Sequence, residues 1–406
     1  MTRLGRIVRG RAVPALTISA LSSISGLLVA VAVARTSTVA GTGRFGIAVA
    51  ALLLVAALAR SAVTDPLIAD ATRRPADTRL LGRASAVGLV GAVVLLAAGL
   101  TTSSAYLVIG ALTVHGLTMR ECVRAVLVAT GSARTAVVLE GSWSAASALA
   151  FVGSLAGTWS GVDAFTIWAV SGAALGYAGT LRTHSDVLPV WSRTPVPSAR
   201  SIAFASDTLI GSGVVQLVTW VATAVAGLSV AAALRGAGTL AGPVTVALSA
   251  ARSLLIPRSV HHLGSNSPLR RFTADAALMA ALALPALVAL ACVPDEIGST
   301  LLGATWDLVD PILPLTAVEL LFQLVAAVPE SAHRALGVGR RILTVRCVTA
   351  VLRLPTVVAA APLGIGVVVA VAAVITGLSA VAWWWSLATL LRPSTTVHVR
   401  PDVDSL

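Results

Sequence analysis

Lysine is missing from this chain of 406 residues, whose 29 basic Lys-or-Arg positions are all arginine. The absence removes whole chemistries, because a Walker-type phosphate loop and a Schiff-base enzyme each need a lysine amine. Charge of any kind is scarce, at 11%, against roughly a quarter of residues in soluble domains. Such a chain could not cover a water-facing surface. The three cysteines, Cys122, Cys292 and Cys347, are odd in number and far apart. They indicate neither a disulfide framework nor a CxxC metal or redox site and read as apolar filler. No cofactor or metal is expected.

Apolar residues, by contrast, make up 57% of the chain. They come in blocks about the length needed to cross roughly 30 Å of hydrocarbon, separated by short arginine-bearing segments. This is the pattern of a polytopic, all-α integral membrane protein. The opening MTRLGRIVRGR and the apolar stretch after it look like a signal peptide, but the stretch is too long for one. It is expected to remain as the first span.

Twelve spans are expected, near 13–34, 46–64, 84–100, 103–119, 135–156, 163–180, 208–231, 242–257, 274–293, 309–328, 347–362 and 364–391. With both termini inside, 23 of the 29 arginines fall in cytoplasmic segments, as short inside loops require. Arg35, Arg44 and Arg235 fall outside, and Arg60, Arg252 and Arg353 lie within spans. The Pro-, Ser- and Arg-rich stretch at 181–207 divides the spans six and six. The expected organisation is a six-helix bundle over 1–180, a cytoplasmic linker over 181–207, a second six-helix bundle over 208–391 and a cytoplasmic tail over 392–406. Transporters are commonly built from two such halves. A membrane polymerase would need a large extracytoplasmic loop and clustered catalytic groups; neither is found, so no enzyme is expected.

The two halves carry a weak repeat. Ala59-Arg60-Ser61 precedes Pro66 near the end of span two, and Ala251-Arg252-Ser253 precedes Pro257 near the end of span eight. Upstream, Arg35 ends span one and Arg235 ends span seven, each ahead of a glycine that opens the next span, Gly46 or Gly242. Arg353 in CVTAVLRLPTVVAAAP and Glu319 in LPLTAVELLFQLV lie at similar depth in neighbouring spans and could pair, as a structural lock or as a proton-linked switch. Glu140 and Asp207 begin spans near the inside face, and Asp65 caps a helix end or faces water. His115 reads as packed between helices, and Gln216 as an interhelical hydrogen-bonding group.

ARTSTVAGTGRFGIAVAALLLVAALARSAVTDPL, with an arginine closing span one and the pair Phe45-Gly46, resembles the first hairpin of the polysaccharide and lipid-linked oligosaccharide flippases. These belong to the multidrug/oligosaccharidyl-lipid/polysaccharide exporter superfamily. ALRGAGTLAGPVTVALSAARSLLIP resembles the second-half version, LPLTAVELLFQLVAAVPESAHRALGVGRRILTVRCV the tenth span and its loop, and PLGIGVVVAVAAV the opening of the last span. The resemblance implies a MATE-like fold of two bundles around a cavity open alternately to either side. It also implies export of a polyprenyl-diphosphate-linked saccharide across the cytoplasmic membrane for cell-surface polysaccharide biosynthesis.

Guanidinium groups can pair bidentately with a diphosphate. Arg60 and Arg252, with Arg35 and Arg235, are the candidate headgroup ligands; the alternative for Arg60 and Arg252 is that they snorkel to the interface. The expected partners are the lipid-linked saccharide, the bilayer and a saccharide polymerase, with no nucleic acid, and the protein is expected to be a monomer. An ion-coupled drug or metabolite antiporter of the same fold is the second reading. The major facilitator architecture also fits the topology, but its basic motif is not evident in ADATRRPADTRLLGR.

Overall fold

The computed structural model describes residues 3–66, 81–183, 185, 187–190 and 199–391, and among these every regular element is helical. The first half contributes α1 (Arg3–Thr36), α2 (Val39–Ala59, continued by a π-helical turn Arg60–Thr64), α3 (Leu81–Thr101), α4 (Ala105–Ala129), α5 (Ala133–Leu155) and α6 (Gly161–Arg182). In the second half, α7 is assembled from Ala199–Thr208, a π-helical turn Leu209–Gly213 and Val214–Ala226, while α8 joins Leu228–Leu240 to Gly242–Leu263. α9 (Pro268–Ala291), α10 (Leu313–Ala335), α11 (Gly339–Ala360) and α12 (Ile365–Leu390) complete it. Among the described residues ten helical stretches are long and apolar enough to cross a membrane. The other two, α4 and α8, are interrupted in apolarity by Arg120, Glu121 and Arg124 and in backbone at Ala241.

Within the first half α3 packs on α4, α4 on α6 and α1 on α5; within the second α10 packs on α9 and α12, and α11 on α12. The first core is aromatic, with Phe45 set edge-to-face against Tyr106 and Phe165 at 5.9 and 5.6 Å between ring centroids. The second gathers Leu302, Trp306, Ile312 and Leu313 at one end and Phe272, Leu324, Val328 and Leu387 at the other. The halves meet along α2 and the first part of α8. Gly43 and Gly46 permit this approach: a Cβ on Gly43 would stand 2.3 Å from the Leu228 carbonyl oxygen, and one on Gly46 3.1 Å from the Arg235 Cβ.

The fold has two ends, a hairpin face and a linker face. The hairpin face carries the tight turns at 37–38 and at Gly227; the linker face carries 130–132, the end of α6 at 182–183 and 336–338. At the hairpin face the halves are also joined by α1, which packs on the helix Asp295–Leu302. There Arg35 Nη1 donates to the Thr300 carbonyl at 2.6 Å, and Thr305 Oγ1 lies 3.4 Å from Thr42 Oγ1. This contact leads to an expected result: disulfide cross-linking of a Thr42→Cys, Thr305→Cys pair, with the native cysteines replaced by alanine, should arrest transport in vesicles, and reductant should restore it. Undiminished transport by fully cross-linked protein would show that the hairpin face need not open.

Several expected boundaries move. Spans 208–231 and 242–257 give way to a turn at Gly227, whose φ of 92° suits a residue without a Cβ. The stretch RGAGTLAG, read as an outer loop, is largely helical. Its low hydropathy reflects a wall facing the other half and a cavity, where lipid solubility is not needed. α2 begins at Val39 behind a Thr38 cap, whose hydroxyl accepts from the Gly41 N–H, so Arg44 sits in a helix and not in a loop. α4 runs on to Ala129 past the expected end at 119, and α7 begins at Ala199, within the expected linker. The tail 392–406 lies outside the described residues, as do 67–80 and 191–198.

Candidate functional site

A cavity of about 710 Å³ lies between the halves. Helix α1 lines it with Ser22 and Ser23, α2 with Leu52 and Arg60, and α4 with Arg120, Glu121 and Arg124; from the second half come Gln216, Arg235 and Thr239. Eleven residues separate Val49 from Arg60, which both line it from α2. At about 1.5 Å per residue the cavity therefore extends roughly 16 Å along α2. Its mouth is at the linker end, where Arg60 stays 42% exposed.

The mouth is charged but balanced. Arg60 donates from Nε to Asp65 Oδ1 at 3.2 Å and from Nη1 to Glu121 Oε1 at 2.9 Å, and Arg124 Nη2 reaches the same Glu121 oxygen at 2.5 Å. Arg120 Nη1 bonds both oxygens of Glu140 at 2.7 and 2.8 Å, with its guanidinium carbon 3.5 Å from the centroid of the Trp143 ring it covers. Three arginines thus face three carboxylates. Asp65, expected to cap a helix or meet water, is an ion-pair partner. Glu140, expected at the interface, has only 1% of its side chain exposed. Breaking a buried pair strands the surviving charge, at a cost of about 3–5 kcal/mol. Arg120→Ala is therefore expected to lower the unfolding temperature of the purified protein sharply, and a thermal melt in detergent checks it.

Arg235 differs from every one of these groups. Expected at the outer end of span seven, it lies inside α8, two turns past its start at Leu228 and beside α2. Its guanidinium carbon is 5.1 Å from the Phe45 ring centroid. It forms no ion pair among the described residues, and its buried Nε has no hydrogen-bond partner. A cation at this depth without a counter-ion is costly, by roughly 2.5 kcal/mol or more. An anion in the cavity would relieve that cost.

Deeper in the second half a lobe of about 480 Å³ adjoins the first cavity, lined by Gln216, Arg235, Glu319, Gln323 and Arg353. Arg353 Nη2 donates to Glu319 Oε1 at 2.7 Å, and Thr376 Oγ1 lies 3.1 Å from that oxygen. The structure therefore brings together Arg60 and Arg235 in one cavity, and Arg353 with Glu319 in the lobe beside it. Arg35 is apart from both, at the hairpin face. The backbone of Arg252 is helical, within α8, but its side chain lies outside the described residues. His115, between Ser85 Oγ at 2.8 Å and the Tyr177 hydroxyl at 2.9 Å, is packed within the first bundle. Arg120, Glu121 and Arg124 fall just past the expected end of span four at 119, where the sequence reads as a loop, and so carry no site signal there. Their i, i+1, i+4 spacing on a helical frame would have revealed them had the span been extended.

No family model matches the sequence and no curated protein matches it. Solved structures match it in fold. An inward-facing conformation of a multidrug resistance MATE family transporter of the MOP superfamily superposes with a TM-score of 0.66 at 12% identity, covering 95% of this chain and 100% of that one. An outward-facing conformation of such a transporter gives 0.58 at 12% identity, over 94% and 95%. The lipid II flippase MurJ, in an inward closed conformation, gives 0.63 at 10% identity, over 92% and 87%. The chain has the fold of these membrane transporters.

Proposed function

We propose that the protein is a flippase that moves a polyprenyl-diphosphate-linked saccharide outward across the cytoplasmic membrane for cell-surface polysaccharide biosynthesis. The observation that carries this reading is Arg235, an uncompensated cation deep in a cavity that both halves line. A diphosphate leaving the water interface needs charge-assisted donors inside the membrane, and an arginine fork is suited to it. Arg60, in this reading, receives the headgroup at the mouth by exchanging Asp65 and Glu121 for phosphate oxygens. The two bundles, α1–α6 and α7–α12, rock against one another, with the linker face and both termini cytoplasmic. The fold shared with the lipid II flippase MurJ supports a lipid cargo, and the arginine-dominated cavity favours an anion over the cationic drugs an antiporter would carry.

Native mass spectrometry of gently purified protein tests the reading. A bound polyprenyl-diphosphate saccharide, absent from Arg235→Ala preparations, is the expected result. Absence of any such lipid, together with stabilisation by a cationic drug, would replace the flippase with the antiporter.

A further inference from the structure

The lobe around Glu319 holds two arginines and one carboxylate: Arg235, Arg353 and Glu319. On the proposed flippase reading this imbalance has a direct use. Arg353 is held by little. One nitrogen, Nη2, meets Glu319; Nη1 lies 3.4 Å from Thr376 Oγ1; and Nε is buried with no partner. Glu319 engages through Oε1 alone, its other oxygen accepting no bond among the described residues. Arg235, across the same lobe, has no counter-ion among the described residues. The nearby polar groups, Gln216, Gln323 and Thr316, are neutral and add no second negative charge.

We propose that Arg353 is a second anion-binding side chain, occupied by Glu319 while the cavity is empty and transferred to the cargo's diphosphate when it is loaded, so that Arg235 and Arg353 together cradle the headgroup. This rests on the flippase reading. Glu319 then serves as an internal stand-in for phosphate: it spares the empty protein a second unpaired arginine in the membrane, where such a charge is expensive. It also competes with the cargo, which keeps binding weak enough for release. The Thr376 hydroxyl, 3.1 Å from Glu319 Oε1 and 2.8 Å from the Ala372 carbonyl, can turn its one proton to the carboxylate once Arg353 has moved.

The test is binding of inorganic pyrophosphate to the purified full-length protein in detergent, measured by calorimetry, with a polyprenyl diphosphate as competitor. Arg235→Ala and Arg353→Ala are each expected to weaken binding about tenfold or more, the loss of one charge-assisted pair. Glu319→Gln is expected to tighten it about tenfold, because Arg353 loses its charged competitor. A purely structural pair predicts the opposite for Glu319→Gln: weaker binding, or none through misfolding. Should either single variant fail to fold, the paired Arg353→Gln, Glu319→Gln protein, which removes both charges, is expected to bind more weakly than wild type; binding equal to wild type overturns the proposal.

If wild type binds, Arg235→Ala loses binding and neither Arg353→Ala nor Glu319→Gln changes it, the cradle is wrong and the flippase reading stands. If wild type binds neither probe, both fall. Competition by polyprenyl diphosphate identifies a lipid headgroup as the source of the anion. If pyrophosphate binds without such competition, the two-arginine cradle is retained and the lipid cargo is not.

Discussion

Arg235→Ala is expected to reduce lipid-linked saccharide transport by roughly 10- to 100-fold while leaving the protein as stable as before or more so. The two effects have one cause. A charge-assisted hydrogen bond contributes about 1.5–3 kcal/mol, and each 1.4 kcal/mol is about tenfold in binding. Arg235 offers several such bonds to a diphosphate. In the empty protein, however, it has no ion-pair partner to lose among the described residues, so truncation removes a desolvated charge and strands no carboxylate there. Arg120, bonded to both oxygens of Glu140, is the control: there the same substitution should destabilise. Proteoliposome transport assays and thermal melts run on both variants separate the cases. A melt of Arg235→Ala lowered as far as that of Arg120→Ala, with transport intact, would make Arg235 a structural residue. Arg235→Lys should fall between, since an ammonium retains the charge but not the planar fork.

The second large effect is expected at Gly43. A methyl group there would lie 2.3 Å from the Leu228 carbonyl oxygen and 3.0 Å from the Leu228 Cβ. The obstacle is backbone, which cannot rotate away as a side chain can. Gly43→Ala should therefore push α2 from α8 along the seam that joins the halves toward the hairpin face. Overpacking of this kind costs about 1–3 kcal/mol. That cost falls on the conformation with the hairpin face closed, and is enough to shift a two-state balance roughly 5- to 150-fold. Labelling of a cysteine placed in the cavity, for example Gln216→Cys, is expected to slow from the linker side and to rise from the hairpin side. Unchanged labelling from both sides would show that this seam separates during neither state. Gly176 is the informative contrast. Its Cβ would meet the Gly116 carbonyl at 2.0 Å, but between α6 and α4 of one bundle, so Gly176→Ala should lower stability without favouring either face.

Much of the architecture was legible in the chain. Apolar blocks of spanning length, separated by arginine, permit little except a helical membrane protein, because each unsatisfied peptide group in hydrocarbon must be bonded within its own segment. The count of twelve and the near pairing of Arg353 with Glu319 followed from the same spacing, since depth in a bilayer is close to linear in residue number along a helix. Lateral position is not. Hydropathy averages a helix over its whole circumference and cannot distinguish a polar face turned to a cavity from a loop in water. For that reason 232–241 and 120–129 read as loops in the sequence, and the chain's turn at Gly227, flanked by Ala226 and Leu228, carries no polar signal at all.

The sequence alone determined that arginines lie within this membrane protein. Which of them are neutralised was decided only by the tertiary structure. Arg60 was singled out from the sequence, yet Asp65 and Glu121 compensate it. Arg235 is expected at the outer end of span seven, yet it lies in the cavity with no ion pair among the described residues. The physical reason is that an ion pair such as Arg60 with Glu121 forms across helices, at 2.9 Å, and that lateral proximity is written nowhere along the chain.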